Sequence, residues 1–307
     1  MNGFELVGQL PYGVSFASAV FTDKGLNIIG GFNDKGEQQH LLSPYPFTPS
    51  LEKWEEIKGF PSLNNAIAIN DNIHTDSIVV VDSEGKIYRQ REDDTWAWMG
   101  KTSSTEGSTI VSTGHRLYRI GGVFFDTYAS DDVYCLEELI AVFKLPFPLA
   151  YISSVKIGKR VYLFGGERGS EKNNIPTDSV MSISIDANNK LETKVRKEEA
   201  RMPFPVAGGG IVCLQQDKVT SVFYLGGWRG EYSATNIVRI DIKDTGIAGV
   251  RVVGKTPHNI PGFTVATILD GINMKNVNKQ VYIIGGEQGG RKSADIWRIS
   301  VSDLLAM

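Results

Sequence analysis

Two cysteines, Cys135 and Cys213, are all that 307 residues contain. A disulfide-stapled scaffold needs far more. Each sits in a hydrophobic, strand-like run, so both read as buried free thiols. The four histidines, His40, His74, His115 and His258, are widely spread, and no pair has the spacing of a metal motif. No excess of one charge is present: 32 Lys and Arg against 35 Asp and Glu leave a net charge of -3. Nothing in that balance draws the chain to nucleic acid or to an anionic membrane. No apolar run approaches the roughly 18 residues of a membrane span. The N-terminus shows no basic segment followed by an apolar one, so no signal peptide is visible. Cytoplasm is the expected compartment, with periplasm as the alternative if a leader has been removed. No glycine pair opens a GxGxxG fingerprint ahead of a helix, which argues against nucleotide binding.

Glycine, by contrast, is abundant. The 33 glycines are about half again the usual share of roughly 7%. Ten of them fall in five copies of one phrase, an apolar strand run that stops in a diglycine. The copies end at Gly30-Gly31, Gly121-Gly122, Gly165-Gly166, Gly226-Gly227 and Gly285-Gly286. Such periodicity behind β-branched and aromatic runs is the mark of a repeat architecture.

Each unit reads as a proline-containing turn, an inner strand of small and apolar residues, the diglycine strand, a polar loop and an outer strand. Turns of this kind occur at Leu10-Pro11, Phe60-Pro61, Pro146-Phe147-Pro148, Pro203-Phe204-Pro205 and Ile260-Pro261. One unit is degenerate: its strand Ser77-Ile78-Val79-Val80-Val81 ends in Asp82-Ser83, and the diglycine interval there is about twice the others. Outer strands begin with a short acid or amide at Asp132, Asp178, Asn236 and Asp295, each about ten residues after its diglycine. The Lys- and Glu-rich stretch from Lys190 to Arg201 reads as a solvated outer strand and loop. Trp54, Trp96 and Trp98 read as packing between units.

Six units account for the whole chain, at about 51 residues each. The last stops one strand short, after Asp295-Ile296-Trp297-Arg298-Ile299-Ser300-Val301. Phe4-Glu5-Leu6-Val7-Gly8 supplies the missing strand. The fold expected is therefore all-β: a single six-bladed β-propeller domain spanning 1–307 and closed by its N-terminal strand. Helix should be almost absent, with only Ser302-Asp303-Leu304-Leu305 as a candidate turn.

The diglycine repeats resemble kelch motifs over the whole chain, although most outer strands lack the usual Tyr-Asp followed by a spaced Trp. Pro11-Tyr12-Gly13-Val14-Ser15 followed by Gly25-Leu26-Asn27-Ile28-Ile29-Gly30-Gly31 resembles a repeat of the N-acetylneuraminate (sialic acid) mutarotase family. In some relatives that repeat lies near the chain start, as a circular permutation. The turns at Pro146–Tyr151 and Pro203–Gly208 are similar to the family's own.

This resemblance implies a rim where the loop after each diglycine meets the proline turn. It also implies an isomerase that opens and recloses a sugar hemiketal, using an acidic residue and an arginine, with no metal or other cofactor. The matching loop here gives Glu287 and Arg291 as the catalytic pair. Glu167 with Arg168 is the second choice, and Trp228, Arg229 and Asn33 join them as substrate-binding candidates. A glutamate can shuttle the anomeric proton, and an arginine fork matches a sugar carboxylate. The implied partner is a small-molecule sugar. Two other readings stay open: a protein-interaction propeller, or another carbohydrate-binding or lyase-type module.

Overall fold

A computed structural model describes residues 3–44, 47, 53–71, 77–103, 106–124, 128–169, 175–257, 261–268 and 279–307. His74, His258, Asn259 and Ile260 lie outside them. Six four-stranded antiparallel sheets make up a six-bladed β-propeller. The chain groups into two compact units: residues 1–58, 210–227 and 233–307 form one, and residues 59–209 and 228–232 the other.

The first unit holds three blades. Blade 1 comprises Ser15–Thr22, Gly25–Phe32, Gln39–Pro44 and Glu55–Glu56. Blade 5 comprises Gly210–Gln216, Val219–Leu225, Asn236–Lys243 and Gly246–Lys255. Blade 6 takes Thr264–Ile268, Gln280–Ile284 and Asp295–Ser300 from the end of the chain and Glu5–Gln9 from its start. Glu5 pairs with Arg298, Leu6 with Trp297 and Gln9 with Asp295, so the N-terminal strand completes the sheet as expected.

The second unit holds blades 2 to 4. Blade 2 comprises Ile67–Asp71, Ser77–Val81, Lys86–Gln90 and Trp96–Lys101. Blade 3 comprises Thr109–Ser112, Leu117–Ile120, Asp132–Cys135 and Ile140–Lys144. Blade 4 comprises Ser153–Ile157, Arg160–Phe164, Val180–Ile185 and Leu191–Lys197.

The second strand of every blade is the most deeply buried. Val161–Phe164, Val222–Leu225 and Val281–Ile284 are buried along their whole length. Both faces are covered, which is why these segments read as continuous apolar runs rather than alternating ones. The outermost strands are mostly half-buried or exposed instead, with exposed residues such as Ile140 and Val252.

The diglycine has a steric cause. In blade 4, a Cβ on Gly165 would overlap the carbonyl oxygen of Val206, which leads into the next repeat. That same oxygen accepts a hydrogen bond from Gly166 N at 2.9 Å. The pattern recurs with Gly121, Gly122 and Leu149 O, and with Gly285, Gly286 and Val14 O. The first glycine leaves room for the neighbouring backbone, and the second donates to it at positive φ. In the degenerate blade 2, the buried carboxylate of Asp82 accepts from Lys86 N at 2.8 Å and organises that turn.

Two expectations need correction. Residues 301–306 form a short helix rather than a turn, because Ser300 caps it through Asp303 N and Leu304 is buried. Trp98 does not pack between blades: it is 54% exposed on the outermost strand of blade 2, edge-on to Tyr88. Trp54 lies edge-on to Phe47, and Trp96 edge-on to Phe60. Cys135 is buried and Cys213 half-buried, both as free thiols. Among the described residues no helix is long and apolar enough to cross a membrane.

Candidate functional site

Every blade has one residue in the left-handed backbone region near the start of its inner strand. These are Phe16 (φ 60°), Asn65 (46°), Gly107 (63°), Tyr151 (52°), Gly208 (62°) and Gly262 (69°). Within each unit, backbone hydrogen bonds tie some of them together. In the second unit Tyr151 N donates to Gly107 O at 2.5 Å, and Gly208 N donates to Tyr151 O at 2.9 Å. In the first unit Phe16 N donates to Gly262 O at 2.6 Å. Glycine takes this conformation freely, whereas an aromatic residue there is strained by about 1–3 kcal/mol. Such strain concentrates at functional sites, which singles out Tyr151 and Phe16.

Around Tyr151 the structure assembles a site from three parts. The loop after the blade 4 diglycine forms a small hairpin of Glu167–Arg168 with Ile175–Pro176. Consecutive residues of a strand face opposite ways. Glu167 therefore turns inward and is buried, while Arg168 points out to solvent. The strand Trp228–Arg229 repeats this alternation, with the indole half-buried and the guanidinium exposed. Backbone bridges Ala150–Glu167 and Ala207–Trp228 fix both segments.

The indole nitrogen of Trp228 donates to Glu167 Oε1. The Trp228 ring meets Tyr151 edge to face, with centroids 5.0 Å apart at 70°. It lies over Gly208, where a Cβ would run into the ring. The ring of Tyr151 likewise lies against Gly107. Two aromatic faces at a steep angle, seated on glycines, thus stand beside one buried carboxyl. Burial raises the Glu167 pKa above the usual carboxylate value, and the indole hydrogen bond opposes part of that rise.

The two arginines stand outside this core. Arg168 is stacked over Phe147, 3.5 Å from the ring centroid, and Arg229 over Phe204 at 4.5 Å. The Pro-Phe-Pro turns noted in the sequence thus act as shelves that hold exposed guanidiniums. Neither arginine has an acidic partner among the described residues.

The residues placed first by the sequence lie in the first unit. Glu287–Gln288 and Arg291–Lys292 form a hairpin in which Glu287 faces Lys292 and Gln288 faces Arg291. Glu287 accordingly makes its ion pair with Lys292, and Arg291 is exposed on the other face. The structure does not bring Glu287 and Arg291 together. Asn33 is used locally: its Oδ1 accepts from Lys35 N and Glu37 N, each at 2.9 Å. Its neighbour Asp34 accepts from Lys292 N at 2.7 Å, which holds that hairpin in place.

Reading the sequence missed Tyr151, Lys292 and Gly208. Tyr151 and Gly208 stand in the recognised turns, but nothing local signals a left-handed aromatic. Among the described residues no three or more His, Cys, Asp or Glu side chains converge as a metal site requires. The chemistry on offer is that of a proton-exchanging carboxyl beside stacking surfaces, with cations at the margin.

The fold and site define a β-propeller with a loop-built cluster of Glu167, Tyr151 and Trp228. A solved structure described as "Structure of YjhT" is similar over 97% of this chain and 98% of that one, with a TM-score of 0.68 at 16% identity. At that identity the likeness is one of fold. In all, 322 chains of solved structures match, so the architecture is common and names no activity by itself. No family model matches the sequence. No curated protein matches it either.

Proposed function

We propose that the chain binds a sugar at the Glu167–Trp228–Tyr151 site and accelerates interconversion of its anomers. The observation that carries this reading is a buried carboxyl of raised pKa, anchored by one aromatic ring and flanked by another. A group that both gives and takes a proton works best with its pKa shifted toward the working pH. Aromatic faces suit the C–H face of a pyranose.

In this reading the ionised Glu167 takes the proton from the anomeric hydroxyl. The O–H electron pair becomes the new C=O bond as the C–O bond to the ring oxygen breaks. The ring oxygen leaves with its electron pair and receives the proton, from Glu167 directly or through a bridging water. The open-chain carbonyl compound turns, and the same steps in reverse close the ring on the other face. Arg168 and Arg229 are placed to meet an anionic substituent at the margin of the cluster. The resemblance to sialic acid mutarotases makes N-acetylneuraminate the first sugar to test. Glu287, held by Lys292, is the competing proton carrier, with Arg291 outside that pair.

The test is one-dimensional proton NMR of freshly dissolved α-anomer, with wild type, Glu167→Gln and Glu287→Gln. Wild type and Glu287→Gln should both hasten equilibration, and Glu167→Gln should not. Loss only in Glu287→Gln would move the chemistry to the other hairpin. No acceleration by wild type would end the reading for this sugar.

A second reading has its own support. Tyr128, Ile175 and Tyr232 are exposed at the matching position of three successive post-diglycine hairpins, on blades 3, 4 and 5. Exposed apolar side chains in such a row suit a protein partner. A stoichiometric partner that Tyr232→Ser releases, with no sugar effect, would favour an interaction module.

A further inference from the structure

The carboxyl of Glu167 is not symmetric in its surroundings. Oε1 receives the Trp228 indole N–H, and no described residue hydrogen-bonds Oε2. The backbone at Glu167 is held in place: its N donates to Ala150 O at 2.8 Å, and its O accepts from Ala150 N at 3.0 Å. The indole is equally constrained. Trp228 exchanges two backbone hydrogen bonds with Ala207, at 2.9 and 3.0 Å. Its ring occupies the space that any side chain at 208 would need, and Tyr151 closes it edge-on. At the left-handed turn it is the overlying indole that demands glycine at 208, and glycine clears that seat.

From this geometry we infer that Trp228 is a positioning residue: it pins Oε1 of Glu167 so that Oε2 alone meets a ligand's proton, and Gly208 is its seat. The role of Oε2 rests on the sugar reading, but the indole's grip on the carboxyl does not. A hydrogen bond that persists through the cycle tunes the carboxyl and fixes its angle, which a free-rotating glutamate would lack. It also predicts a sign. The indole favours the ionised form, so removing it raises the Glu167 pKa further.

The test separates the two claims. With ¹⁵N-labelled tryptophan, the chain gives five indole N–H peaks, one per tryptophan. One should move with pH, with its midpoint above the ordinary carboxylate range. That movement should vanish in Glu167→Gln, and Trp228→Phe should remove the peak itself. If no indole peak titrates, or the same titration survives in Glu167→Gln, the pinning is refuted. This readout needs no substrate and no folded Trp228 variant. Where sugar turnover is measurable, Trp228→Phe should lower kcat roughly 10- to 100-fold with KM little changed, and shift the limb of the pH profile upward. A raised KM with an unmoved limb would make Trp228 a mere binding surface. Absence of turnover alongside a titrating indole would sink the sugar reading and leave the pinning standing.

Discussion

Glu5 accepts two hydrogen bonds from the guanidinium of Arg298, 293 positions away in sequence, one of them at 2.6 Å from Nε. The pair marks where the two ends of the chain share one sheet. It is half-exposed, so the ion pair itself is worth little, about 0–1 kcal/mol. The strand behind it matters more, because it covers the edge of Asp295–Ser300.

Glu5→Ala should therefore lower stability by under about 1 kcal/mol. Leu10→Ala, which empties a buried position just after the closing strand, should cost about 2–5 kcal/mol. Removing residues 1–9 should leave a soluble monomer rare and aggregation common. Urea unfolding and size-exclusion chromatography check all three. A truncated chain that stays monomeric and fully stable would show that the edge needs no cover.

Gly165→Ala should be far more harmful than a glycine-to-alanine change in open space. Its Cβ would overlap backbone, the carbonyl of Val206, and backbone cannot yield as a side chain can. We expect a loss above about 2 kcal/mol, from clash and positive φ together. Gly230→Ala is the control: φ is also positive there, but nothing lies within 4 Å of the added carbon. Chemical denaturation of the two variants should separate strain from clash.

At Phe16 the expected order is unusual. The ring is 41% exposed and the backbone left-handed. Phe16→Gly should be no less stable than wild type, because relief of strain offsets the lost burial and the entropy of glycine. Phe16→Val should lose about 1–3 kcal/mol, since a β-branched residue fits that region worst. Thermal unfolding of both decides it. A marked loss of Tm in Phe16→Gly would mean that the ring packs more than its exposure suggests.

Acid should weaken the fold in two stages. Burial lowers the His40 pKa to about 4, and its Nδ1 accepts from Gly30 N at 3.3 Å. The unfolded chain takes up that proton more readily, so stability falls from about pH 6.5 down to about 4, by at most about 3 kcal/mol. Burial alone would raise the Asp241 pKa. Hydrogen bonds from Arg239, Arg251 and Ser221 outweigh it and hold the pKa at about 2. Its contribution is full above about pH 3.8 and disappears as pH falls toward about 2. Urea midpoints measured from pH 7 to 2 should show both steps, and His40→Gln should remove only the first.

What could be read in the sequence was whatever sterics repeat. At Gly121, Gly165 and Gly285 a neighbouring carbonyl crowds the first glycine of the pair, and the regular spacing of such pairs revealed the blades. Asp82 made one blade's copy of the phrase degenerate by organising the same turn with a side chain. The site was less legible. Glu167 and Trp228 lie 61 positions apart, and no local pattern couples them. In the Glu287 hairpin, a difference of one residue decides which cation shares the face of the acid, and the structure puts Lys292 there. The same parity separates Glu167 from Arg168, adjacent in the chain yet opposed in direction.

The blade shared by both ends also sets a schedule. A ribosome makes Glu5–Gln9 long before its partner strand, Arg298 following Glu5 by 293 residues. At roughly 5–20 residues per second, the early segment waits on the order of 15–60 s for anything to pair with. Every other sheet is made from neighbouring stretches and can form as it emerges. Slow maturation of newly made chains should therefore be confined to this one seam, and a version of the gene that begins at a later repeat should shorten the delay.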